Sequence, residues 1–66
     1  MQKINQKVIN KGIRYHVEAG LLPYIFEDHR QPAYNYYQVV SDLGKRLNLK
    51  LSTNNNAGVW TISVIN

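Results

Sequence analysis

Between Ala33 and Leu47 the apolar residues Tyr36, Val39, Val40, Leu43 and Leu47 fall on one helical stripe, and Asn35, Gln38, Asp42, Lys45 and Arg46 fall on the opposite face. The spacing predicts an amphipathic helix over 33–47. Pro32 suits its entrance, because a fixed φ and a missing N–H cost nothing in a first turn. Past the helix the period changes from 3.6 to two. Leu49 and Leu51 alternate with Lys50 and Ser52, and Trp60, Ile62 and Val64 alternate with Thr61 and Ser63, which predicts half-buried strands at 48–53 and 58–65. The intervening Thr53-Asn54-Asn55-Asn56-Ala57-Gly58 is turn chemistry, since Asn and Gly tolerate the positive φ of a tight reversal. The C-terminal half therefore reads as a helix feeding a β-hairpin with an Asn-rich tip.

The N-terminal third admits two readings. As a helix over 3–19 it carries Lys3, Lys7, Lys11 and Arg14 on one stripe, with Ile4, Val8, Ile9 and Ile13 mostly turned away. As a strand, Ile13-Arg14-Tyr15-His16-Val17-Glu18-Ala19 alternates without a break between Gly12 and Gly20, and a glycine at position 12 would cost a helix about 1 kcal/mol relative to alanine. The strand at 13–19 is the favoured reading, and residues 2–10 stay open between a hairpin arm and a short helix. Leu21 to Pro32, with Leu21, Leu22, Tyr24, Ile25 and Phe26, is too apolar for a linker and is expected to pack on the C-terminal helix.

These elements predict a single α+β domain over 1–66. A small antiparallel sheet presents Val17, Leu49, Leu51, Trp60, Ile62 and Val64 to the helix at 33–47. The competing architecture is a three-helix winged domain with 3–19 as its first helix and 48–65 as its wing. A chain of 66 residues buries only about 60% of its unfolded surface, so a partner or a second copy would add useful stability. It has no cysteine to supply a disulfide or a thiolate metal site. No stretch resembles a signal peptide or is long enough to span a bilayer, which makes the cytoplasm the expected location and a membrane an unexpected partner.

The chemistry-bearing residues are few: His16, Glu18, Glu27, Asp28 and His29. His16 and Glu18 on a strand would share a face, but as a pair they make at most half a metal site. Glu27-Asp28-His29-Arg30 reads as a charged loop or cap. No phosphate-cradling glycine loop or zinc-type spacing is present, so the chain is expected to act by binding, without a cofactor or metal, and not as an enzyme.

Eight Lys and Arg against four acids give a net charge of +4, which draws the domain to anionic partners. Cations lie beside flat side chains at Arg14-Tyr15, at Arg30 near Tyr34, Tyr36 and Tyr37, and in Lys45, Arg46 and Lys50 at the end of the helix. Nucleic acid is the expected partner. Lys45, Arg46 and Lys50 would contact phosphate, Asn54, Asn55 and Asn56 at the hairpin tip would supply hydrogen bonds, and Lys3, Lys7, Lys11 and Arg14 would serve as auxiliary phosphate contacts. The competing partner is a protein, bound through exposed Tyr24, Arg30, Tyr34 and Tyr37, residue types enriched at interface hot spots. Strand edges offer a further contact, to a homodimer or to a partner's sheet.

In element order, the helix followed by Leu47-Asn48-Leu49 and a hairpin ending in Val59 to Ile65 resembles the helix-and-hairpin end of winged-helix nucleic-acid domains. The likeness is one of order alone and transfers no site residue. The bias toward Asn, Ile, Lys and Tyr is similar to that of short reading frames of AT-rich phages and mobile elements, a class that includes inhibitors of host enzymes and defence complexes.

Overall fold

The computed structural model describes residues 5–65 as five elements: α1 (Gln6–Ala19), β1 (Tyr24–Glu27), α2 (Tyr36–Leu47), β2 (Leu51–Asn56) and β3 (Val59–Val64). The three strands form one antiparallel sheet in the order β1-β3-β2, with β3 in the middle. This is the expected α+β arrangement with a C-terminal hairpin. It carries two helices, one more than the favoured reading placed.

The strand expected at 13–19 is the second half of α1. Asn5 caps that helix, its side-chain oxygen accepting from the backbone N–H groups of Lys7 and Val8 at 3.0 and 3.4 Å. Ile9, Ile13 and Val17, four apart, form the buried stripe, and Ile13 and Val17 are 0% and 2% exposed. A spacing of four satisfies both a period of two and a helical turn, so the alternation at 13–19 fits either element. Tyr15, which a strand would have placed beside Ile13 and Val17, lies exposed on the helix. Gly12 lies inside the helix where Tyr24 crosses it, and a Cβ there would sit 3.2 Å from the Tyr24 hydroxyl. The helix ends at Gly20 in the left-handed conformation, its N–H donating to the carbonyls of His16 and Val17.

α2 begins three residues later than predicted, at Tyr36, because the Asn35 side chain accepts from the Gln38 N–H at 3.4 Å and caps it there, leaving Pro32 and Ala33 in the preceding loop. Its predicted stripe is largely as expected, with Tyr36, Val40 and Leu43 buried, Val39 half-buried and Leu47 exposed. The helix stops at Asn48, in the left-handed region at φ 57°.

The hairpin loop is shorter than the six residues expected. Pairing of β2 with β3 runs from Leu51↔Val64 to Asn56↔Val59, so Asn54, Asn55 and Asn56 belong to the strand and only Ala57 and Gly58 turn, at φ 52° and 86°. Two consecutive positive φ values are the signature of the two-residue reversal whose twist matches its strands. The His29 ring closes over this turn: a Cβ on Gly58 would lie 2.1 Å from His29 Nδ1, and the Asp28 N–H donates to the Gly58 carbonyl at 2.9 Å.

Both helices cover the same face of the sheet. The core joins Ile13 and Val17 of α1, Tyr36, Val40 and Leu43 of α2, and Trp60 and Ile62 of β3, with Tyr24, Phe26 and Leu51 half-buried around them. Phe26 and Trp60 each bring a ring to within 4.9 Å of Tyr36. Val17 is core as predicted, although it comes from a helix. Leu49 and Val64, expected in the core, are 39% and 43% exposed at the open end of the layers. By strand alternation the other sheet face carries Ser52, Asn54, Asn56, Ile25, Glu27, Val59, Thr61 and Ser63. No helix among the described residues is long and apolar enough to cross a membrane.

Candidate nucleic-acid interface

α2 buries one stripe, so its opposite side stands as a ridge between two open grooves. Toward β2, Tyr37, Ser41, Lys45 and Asn48 form one wall of a groove of about 480 Å³, facing Lys50 and Thr53. Toward α1, Val39, Asp42 and Arg46 face Asn10 and Arg14 across a smaller groove of about 180 Å³. Lys45 and Lys50 thus line one flank of α2, while Arg14 and Arg46 line the other. Lys45 and Arg46 occupy the last turn of the helix, where cations also complement the carbonyl end of the dipole.

Lys7 and Lys11 are exposed on α1 along the stripe that leads to Arg14. Among the described residues the ion pairs are Glu27–His29 and Asp28–Arg30, so Lys7, Lys11, Arg14, Lys45, Arg46 and Lys50 take no carboxylate partner from them. Lys3 lies outside the described residues. The asparagines do not gather into one tip. Asn55 shares the helix-side face of the sheet with Thr53, and its side-chain oxygen accepts from the Gly58 N–H at 3.1 Å, whereas Asn54 and Asn56 project from the far face.

Arg30 is committed inward. Its Nε and Nη2 donate to the two carboxylate oxygens of Asp28 at 2.9 and 2.6 Å, Nη2 also donates to the Tyr36 hydroxyl at 3.1 Å and to Gln6 Oε1, and the Tyr36 hydroxyl donates to Asp28 at 2.7 Å. Asp28 is 5% exposed, and the hydrogen-bonded Arg30 guanidinium holds its carboxyl far below the usual carboxylate range despite burial. The same bond raises Arg30, while burial, then the bond to Asp28, pushes the Tyr36 hydroxyl up. The guanidinium carbon also stands 5.6 Å from the Tyr34 ring centre.

The aromatic and arginine patch expected at Tyr24, Arg30, Tyr34 and Tyr37 is therefore not an exposed surface. Tyr24 is half-buried and stacked on His16 at 4.0 Å, Tyr34 is half-buried against Tyr36 at 4.8 Å, and Tyr37 alone of the four is exposed. Being two apart on a helix, His16 and Glu18 diverge instead of sharing a face. The His16 Nδ1 lies 2.7 Å from the Gly12 carbonyl, which fixes Nδ1 as the protonated nitrogen, and Glu18 is exposed. Among the described residues no group of three or more His, Asp and Glu could hold a metal ion.

Two features escaped the sequence reading. The Gln6–Asp28–Arg30–Tyr36 network was signalled only by the i, i+2 spacing of Asp28 and Arg30 beside a predicted core tyrosine, and the approach of Arg14 to Arg46 joins residues 32 positions apart. Comparison with family models, with curated proteins and with solved structures returns no match.

Proposed function

We propose that the chain is a small non-enzymatic module that binds nucleic acid by laying the α2 ridge against a phosphate backbone. The observation that carries this reading is the set of four cations without ion-pair partners among the described residues, Lys45, Lys50, Arg14 and Arg46, distributed on both flanks of the exposed side of α2. Lys7 and Lys11 extend the track along α1, and Asn55, on the helix-side face, is the asparagine nearest in orientation to it. Each cation displaces counterions from a phosphate, so affinity falls with salt in proportion to the number engaged. Asp42, in the smaller groove, sets a local negative point that orients the backbone away from that position.

With four phosphates engaged on a duplex, the log–log salt slope is about −3.6, and affinity drops on the order of 100-fold between about 50 and about 200 mM salt. Fluorescence anisotropy with labelled single- and double-stranded DNA and RNA reads this directly. Lys45→Glu with Arg46→Glu is expected to abolish binding at the lower salt while the far-UV circular dichroism is unchanged. Absence of binding at low salt, or binding indifferent to salt, overturns the reading. The protein-inhibitor alternative draws less support, because three of its four residues are engaged within the fold.

A further inference from the structure

We infer that β2 is a pairing edge, and that its partner is β2 of a second copy of this chain, in an antiparallel register centred on Thr53. With β3 in the middle, the sheet has two open edges, and they differ in how they are guarded. β1 is four residues long, follows Pro23 directly and ends in the charged, exposed Glu27. β2 runs six residues, Leu-Ser-Thr-Asn-Asn-Asn, without a charge or a proline. Soluble domains blunt an open edge with those features to prevent strand addition, so their absence on β2 marks the edge that accepts a strand.

Backbone geometry selects the register. The Ile65 N–H donates to the Lys50 carbonyl at 2.8 Å, so alternation turns the N–H and C=O groups of Ser52, Asn54 and Asn56 toward β3 and those of Leu51, Thr53 and Asn55 toward the open edge. Antiparallel strands exchange hydrogen bonds between outward residues of each. Only the register that sets Thr53 opposite Thr53 pairs all three, placing Leu51 opposite the second copy's Asn55 and forming about six hydrogen bonds.

The same register makes the edge compatible with itself in charge. Lys50 falls opposite the second copy's Asn56, and Ser52 opposite its Asn54, so no cation meets a cation in direct cross-strand contact. A partner of different sequence gains nothing from this symmetry. Tyr37, 53% exposed and sharing the α2–β2 groove with Thr53, stands on the helix side of the joint, where the second copy's Leu51 arrives opposite Asn55. A two-fold axis normal to the sheet then closes the assembly at two chains, with one six-stranded sheet and both α2 ridges on one side.

Sedimentation equilibrium and isotope-filtered NMR on the full chain test this. The expected result is a concentration-dependent species of twice the 7.6 kDa monomer mass, with an inter-chain contact between the Hα atoms of Ser52 and Asn54. Those residues form a closely spaced cross-chain pair in this register, whereas within one chain Ser52 faces Ser63 and Asn54 faces Thr61. Thr53→Lys sets two like charges across the axis and is expected to weaken association by about tenfold or more. Thr53→Pro, whose lost N–H points away from β3, removes the central hydrogen bonds and gives the same result, with Trp60 fluorescence reporting that the monomer still folds. A monomer up to roughly 1 mM, the weak end of specific association, overturns the inference. So does a dimer lacking the Ser52–Asn54 contact, an assembly larger than two chains, or a dimer that survives Thr53→Lys.

Discussion

Replacing Arg30 with methionine keeps most of its apolar stem and removes the charge that faces Asp28. Asp28 is then a 5% exposed carboxylate left with the Tyr36 hydroxyl at 2.7 Å and the Arg30 backbone N–H at 3.1 Å. Breaking a fully buried pair from one side costs 3–5 kcal/mol, and because the Arg30 side chain is 31% exposed, solvent screening brings the expected loss to about 2 kcal/mol. A domain of 66 residues holds roughly 3–10 kcal/mol in all, so the loss is a large share of its stability. With a urea slope of about 1 kcal/mol/M, the midpoint of denaturation falls by about 2 M, read by Trp60 fluorescence. The sign of a second substitution separates pairing from packing. Asp28→Asn added to Arg30→Met removes the orphaned charge, and the double variant is expected to be more stable than Arg30→Met alone. The acid limb gives an independent reading. Asp28 is held low in the folded state, so its contribution is complete above the unfolded carboxyl pKa of about 3.9 and is lost as pH falls below it. In Arg30→Met the unpaired buried carboxyl favours its neutral form, and acidification restores stability instead of removing it. A midpoint shift smaller than about 0.5 M in Arg30→Met, or a double variant no better than the single one, refutes the assignment of this network as a stabilising unit.

Three further substitutions probe the turn, the α1 cap and the buried tyrosine. Gly58→Ala combines a φ of 86° with a Cβ 2.1 Å from His29 and is expected to cost about 2 kcal/mol or more, against about 1 for Gly20→Ala, where φ is 72° and nothing lies within 4 Å; paired thermal melts compare them. Asn5→Ala removes the α1 cap and is expected to cost about 1 kcal/mol, lowering Tm by about 4–8 °C. Tyr36 is pushed up in the folded state, so its contribution is complete below the unfolded tyrosine pKa of about 10 and is lost as pH rises through the folded value; Tyr36→Phe flattens that alkaline limb in a pH series of melts.

Much of the fold was legible wherever one face of an element alone is buried. The stripe Tyr36, Val40, Leu43 marked α2, and the alternation of Trp60 and Ile62 marked β3, because a local period reports a single buried face directly. Of the candidate interface, Lys45, Arg46 and Lys50 were legible for the same reason, as the polar complement of that stripe and its continuation. Residues 13–19 were not, since Ile13 and Val17 fit a strand and a helix equally over seven positions, and the Asn5 cap that starts the helix and the Tyr24 ring that crosses it at Gly12 both lie outside that window.

The sequence by itself determined the class of the domain, its basic surplus and which side of α2 meets water, all properties of residues close along the chain. Tertiary structure alone decided that Arg30 turns inward to Asp28 and Tyr36, that Arg14 joins Arg46 beside α2, and that the three asparagines split between two sheet faces. The reason is that spacing constrains the direction of a side chain about its own element, whereas its neighbours are chosen when distant elements close on a shared core.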